Sequence, residues 1–273
     1  MAVSMSDISK LRKLTGAGMM DCKKALEETN CDMDAAVEII RKKGQAVAAK
    51  REDREASEGC VLSASENGFA AIVALKCETD FVAKNEGFVA LTRSILNEAM
   101  AAKAKSLDEV KALKVNGMAV SDLIVEEIGK TGEKMELGGY ECLEGAGTTS
   151  YDHLGNKLST IVAFNKPVER QVGRNVAMQV ASMNPISVSR NEVPQHIVDQ
   201  ELDIAREKAR QEGKKEEMLD KIAQGRLNKF YKESCLLEQE YIMDSQFTIE
   251  KYLKSVDPEL TVTAFKRINL NED

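Results

Sequence analysis

Tryptophan is absent from this 273-residue chain, and only 4% of its residues are aromatic. Its cores must therefore be built mainly from Leu, Ile, Val, Ala and Met. No apolar run approaches the ~18 residues needed to span a bilayer. The opening Met1-Ala2-Val3-Ser4-Met5-Ser6-Asp7 has neither the basic nor the apolar region of a secretory signal. The expectation is a cytoplasmic protein with no membrane contact. Histidine occurs only at positions 153 and 196, too few for a His-based metal cluster. The six cysteines, at 22, 31, 60, 77, 142 and 235, form no CxxC pair and no zinc-knuckle spacing. They are expected to be reduced, small apolar packing residues. No GxxxxGK[ST] or GxGxxG follows a strand-like run, and no Cys or Ser has a base at motif spacing. These gaps favour a binding protein over an enzyme and imply no metal and no cofactor.

What is present reads as an ordinary folded chain, 43% hydrophobic and 30% charged. The net charge of −7 gives no general attraction for nucleic acid and favours a protein partner. Residues 6 to about 50 read as three short helices. Ser6 or Asp7 is placed to cap the first, with Ile8, Leu11 and Leu14 on one face. Thr15-Gly16-Ala17-Gly18 breaks it. Cys22, Ala25 and Leu26 face inward on the second; Ala35, Ala36, Ile39 and Ile40 mark the third. Lys50-Arg51-Glu52-Asp53-Arg54-Glu55 reads as a solvated tether, because acidic residues interrupt the basic ones.

Two β-type runs, Cys60 to Ser65 and Phe69 to Cys77, flank Glu66-Asn67-Gly68, a strong hairpin signal. The second run has few polar interruptions and suggests a strand covered on both faces. A helix follows, with Phe88, Leu91, Ile95, Leu96 and Ala99 on one stripe. The plan then repeats. Residues 141–145 lead into Thr148 to Tyr151, a Gly155-Asn156 turn, the strand Leu158 to Phe164, and a helix with Val172, Val176, Val180 and Met183. Pro194 can open the next helix. There Val198, Leu202, Ala205 and Ala209 form a heptad seam. A reversal at residues 211–215 leads to Leu219, Ile222, Ala223, Leu227 and Phe230. The pair reads as an antiparallel helical hairpin. A short helix near Thr248 to Ser255 and a strand from Leu260 to Ile268 close the chain.

Two segments are distinctive: Leu11-Arg12-Lys13-Leu14-Thr15-Gly16-Ala17-Gly18-Met19-Met20-Asp21-Cys22-Lys23-Lys24-Ala25-Leu26 and Leu75-Lys76-Cys77-Glu78-Thr79-Asp80-Phe81-Val82-Ala83-Lys84-Asn85. Both resemble signature segments of the elongation factor Ts family, the guanine-nucleotide exchange factors of elongation factor Tu. The resemblance extends along nearly the whole chain. It implies an α+β fold with a three-helix ubiquitin-associated (UBA)-like domain and linker at 1–54. A duplicated hairpin-plus-helix core follows at 55–139 and 140–193. An antiparallel coiled-coil hairpin occupies 194–233, and 234–273 returns a helix and strand to the core. The additional C-terminal helical module of some members has no counterpart after the last strand.

The resemblance further implies that Thr79, Asp80, Phe81 and Val82 form the tip that intrudes near the Mg²⁺ site of elongation factor Tu. Met19, Met20 and His153 are its further implied contacts. On the residues alone, Phe81 either anchors an interface or packs into its own core, one of the two methionines is equally well a core residue, and His153 is equally well a plain turn residue. The partner implied is elongation factor Tu, GDP-bound and nucleotide-free, with a homodimer in a 2:2 complex as one arrangement. Two other readings stay open: a UBA-type adaptor for ubiquitin-like proteins, and a thiol enzyme using Cys77 or Cys60.

Overall fold

The computed structural model describes residues 3–272. Three helices open it: α1 (Met5–Thr15), α2 (Met19–Glu28) and α3 (Met33–Lys50). The cap of α1 is Ser4, not Ser6 or Asp7. Ser4 Oγ accepts the Asp7 N–H at 3.1 Å, so the helix begins before the expected caps. Gly16, at φ 67°, ends it in the left-handed conformation that favours glycine. Ile8, Leu11, Cys22, Ala25, Leu26 and Ala36 form the unit's core. Leu14 does not join them; it is exposed. Helix α3 runs unbroken through Gly44, whose missing side chain lets the helix approach a later one closely.

Strands β1 (Glu58–Glu66) and β2 (Phe69–Cys77) pair antiparallel from Glu58↔Cys77 to Glu66↔Phe69. Asn67 and Gly68, at φ 50° and 74°, supply the two positive dihedrals of a type I′ turn. A single turn, α4 (Asp80–Ala83), then leads into α5 (Glu86–Ala102). After α6 (Leu107–Ala112), the two-residue strands β3 (Lys114–Val115) and β4 (Met118–Ala119) and helix α7 (Val120–Thr131), strand β5 (Met135–Glu144) returns to pair with β2. Residues 141–144, which spacing alone groups with the second unit, therefore belong to the first sheet. Pairing Phe69 with Glu144 is a contact between residues too far apart in sequence to leave a local pattern.

The second sheet repeats this plan. Strands β6 (Gly147–Asp152) and β7 (Leu158–Phe164) form a hairpin, α8 (Arg170–Met183) follows, and a late strand, β8 (Val262–Asn269), pairs with β7. The stretch before β8 holds the helical hairpin α9 (Gln195–Gln211) and α10 (Glu216–Ser234), and then α11 (Ile249–Val256). Ala205, Ala209, Leu219, Ala223 and Leu227 are buried in that hairpin, as the heptad spacing requires. Met183, by contrast, is exposed at the end of α8.

Side-chain alternation explains the apolar run of β2. Phe69, Ala71, Val73, Leu75 and Cys77 face α5, together with Cys60 and Leu62. Ala70, Ile72 and Ala74 point the other way, with Val61, and meet Ile161 of the second sheet. A polar weld crosses the same interface. Asp152 Oδ1 accepts the Ser63 N–H at 2.6 Å and the Ser159 hydroxyl at 2.8 Å, while Arg93 Nη2 sits 3.3 Å from Oδ2. No helix among the described residues is long and apolar enough to cross a membrane.

Candidate functional site

The β2–β5 ladder ends at Cys77↔Met135, and the chain leaves the sheet at Glu78. Thr79 stays extended, at φ −123° and ψ 152°, and its hydroxyl accepts the Val82 N–H at 3.4 Å. This cap starts α4, the one-turn helix that carries the exposed side chains. Asn85 Oδ1 accepts the Gly87 N–H at 2.8 Å and starts α5 directly behind it. Between the two caps, Val82 and Ala83 turn inward and join the first core with Phe88. Phe81 turns outward and is 82% exposed. Thr79 and Asp80 are exposed beside it, whereas Val82 anchors the corner from within. An aromatic left in water on a turn fixed from both sides is suited to burial by a partner.

The local electrostatics are modest. Asp80 Oδ2 accepts from Lys84 Nζ at 2.6 Å, and this hydrogen bond holds the Asp80 carboxyl below its ordinary pKa. Both groups are exposed, so the pair adds little stability. Cys77 lies behind the corner and donates its thiol to Thr79 O at 3.2 Å. Burial pushes the Cys77 thiol up to about 12 and the Cys60 thiol up to about 11. A nucleophilic thiol needs the opposite shift and an exposed setting, so the thiol-enzyme reading loses its basis.

The other expected contacts lie on separate units and are not gathered with the corner into one pocket. Met19 and Met20 begin α2 at Gly18, which offers no side-chain cap; both are exposed, as are Met5 and Leu14 on the same unit. His153 is exposed in the β6–β7 loop, its Nδ1 3.0 Å from Tyr151 Oη. Arg174 lies over the Tyr151 ring, 5.3 Å from its centre. Beside His153, Leu154 is 92% exposed, an apolar tip that the sequence reading passed over. Its signal was available: a leucine between His153 and Gly155, in a turn with no apolar stripe to join. Glu133, which binds Thr79, was also missed. It stands 54 residues from its partner, and no local pattern marks it.

The corner shows an aromatic to solvent, and apolar side chains are exposed on the three-helix unit, in the β6–β7 loop and elsewhere, the kind of surface a protein partner can bury. The comparisons give the family. Residues 78–272 match the family model described as elongation factor TS. An elongation factor Ts of Porphyromonas gingivalis is 61% identical over 274 residues, covering all of both chains. One from Azobacteroides pseudotrichonymphae is 54% identical over 272 residues, 99% of each chain. One from Parabacteroides distasonis is 46% identical over 330 aligned positions, again covering both chains fully. This chain belongs to the elongation factor Ts family.

Proposed function

We propose that this chain binds elongation factor Tu, GDP-bound and nucleotide-free, and promotes GDP release as a guanine-nucleotide exchange factor without covalent chemistry. Family membership supports the role. The observation that carries the site is the exposed ring of Phe81 on a turn anchored by buried Val82 and Ala83. Thr79, Asp80 and Phe81 would enter the GTPase beside its Mg²⁺ and phosphates, with Val82 as their inner support. The ion neutralises the phosphates there, so displacing it weakens the nucleotide efficiently. Factor and nucleotide must then weaken each other's binding by the same factor.

Met19 and Met20 suit a second, adaptable contact from the three-helix unit, which we read as UBA-like. His153, with Leu154 beside it, would make a third. The ubiquitin-like adaptor reading finds no support in the family match. We also propose the division into 1–54, 55–139, 140–193, 194–233 and 234–273, noting that β5 runs across the 139/140 line. A homodimer in a 2:2 complex would use the duplicated core or the helical hairpin, and light scattering of the complex reads its mass.

The test mixes the protein with cognate elongation factor Tu carrying fluorescent GDP. Release should accelerate. Phe81→Ala should cut the acceleration by about one to two decades, the worth of burying one phenyl ring at ~1.5–3 kcal/mol. Unchanged release from a folded cognate pair would refute the exchange function. An intact effect of Phe81→Ala would refute only the residue assignment.

A further inference from the structure

Beyond the last β2–β5 pair, the two departing segments go on holding each other through side chains. Glu78, on the β2 side, reaches across so that Oε1 accepts the Lys134 N–H at 2.6 Å. Glu133, on the β5 side, reaches back. Its Oε1 accepts from the Thr79 hydroxyl at 2.7 Å and its Oε2 accepts the Thr79 N–H at 3.1 Å. Each segment thus lends a carboxylate to the backbone of the other. Arg51, just past α3, backs the arrangement, with Nη1 3.2 Å from each Glu78 oxygen. Lys134 Nζ donates to Glu52 O at 2.9 Å. The tether read from sequence as merely solvated is therefore pinned at Arg51 and Glu52 beside the corner.

The Thr79 hydroxyl works in both directions. It donates to Glu133 and accepts from the Val82 N–H that starts the Phe81 turn. Donating toward a carboxylate fixes the rotor and leaves its lone pairs for Val82, and bonds linked in this way strengthen one another. Glu133 also supplies an acceptor for the Thr79 N–H, which lies beyond the last ladder pair. It therefore sets the direction in which Thr79 leaves the sheet, and with it the direction of the ring two residues on.

We propose that Glu133 is a positioning residue for nucleotide release, acting through Thr79 to hold Phe81 at the angle at which it enters the partner. This rests on the exchange reading above. Without Glu133 the turn still forms, because Val82 and Ala83 stay buried, but the ring must be ordered during docking. In the proposed complex Met19, Met20, His153 and Leu154 make further contacts that this change leaves alone. The loss therefore falls on the release step within the complex more than on assembly of the complex.

The experiment titrates wild type and variants against elongation factor Tu carrying fluorescent GDP, extracting a maximal release rate and a half-saturating concentration. Glu133→Ala should lower the maximal rate about 3- to 10-fold, the range expected for one net hydrogen bond of ordinary strength at an exposed site. The half-saturating concentration should stay within about 2-fold, since the rest of the interface is unchanged. Glu133→Gln, which keeps one acceptor, should recover most of the rate. Glu133→Ala combined with Thr79→Ala should be no slower than the slower single variant, because both remove the same link. A wild-type maximal rate in Glu133→Ala overturns the proposal, as do single-variant losses that multiply. A wild type that fails to accelerate release overturns the exchange reading itself, a result recognisably different from a Glu133→Ala variant that keeps the wild-type rate.

Discussion

Phe81 illustrates how far one residue can depart from what folding alone would choose. A phenyl ring left 82% exposed forgoes the ~1.5–3 kcal/mol that burial would add to stability, and that free energy stays available for an interface. Behind it in the first core, the buried thiols of Cys60 and Cys77 show the reverse economy. A thiol whose pKa is raised by folding holds its proton more tightly in the folded than in the unfolded chain. Its contribution is complete below the unfolded value of ~8.5 and is lost as pH rises through the folded value. For Cys60 and Cys77 those folded values are about 11 and about 12. Urea unfolding should therefore show stability falling between pH 8.5 and 11, with a shallower slope in the Cys60→Ala, Cys77→Ala double variant. At pH 8 iodoacetamide should modify the half-buried Cys31 well before either of these buried thiols.

Helices α3 and α7 cross where two glycines meet, and the two are not equivalent. A Cβ on Gly129 would stand 2.8 Å from the Gly44 Cα, a backbone atom that cannot swing aside. A Cβ on Gly44 would stand 3.4 Å from Val125 O and 3.6 Å from the Gly129 Cα, ordinary contact distances. Gly129→Ala should cost about 1–3 kcal/mol by overpacking. Gly44→Ala should be neutral or stabilise by up to about 1 kcal/mol through helix propensity. Chemical denaturation of the two variants checks the asymmetry. The crossing also shows where sequence reading stops. Each feature written in local spacing was legible: the Asn67-Gly68 hairpin, the heptad seam of α9 and α10, the stripe of α5. The corner was legible too, through the resemblance carried by residues 75–85. What escaped depends on segments that meet only in space. Residues 141–144 take their sheet from Ala71, Ile72 and their neighbours on β2, Leu14 is left outside by a core it never joins, and Glu133 earns its role from Thr79.

At the scale of the molecule, two similar sheets are joined by polar links as well as apolar contact, and Asp152 gathers several of those links. Removing its carboxylate leaves the Ser63 N–H, the Ser159 hydroxyl and the Arg93 guanidinium without their shared acceptor. Asp152→Ala should destabilise the protein by about 2–4 kcal/mol in guanidinium unfolding, and Asp152→Asn by less, because its amide oxygen still accepts. A different consequence follows from the late return of each third strand. A nascent chain on the ribosome can complete its first sheet once Glu144 has emerged, while β7 keeps an unpaired edge until Val262–Asn269 follow. Through that interval, while the helical hairpin is being synthesised, the open edge of β7 is a stretch exposed to intermolecular pairing and chaperone capture.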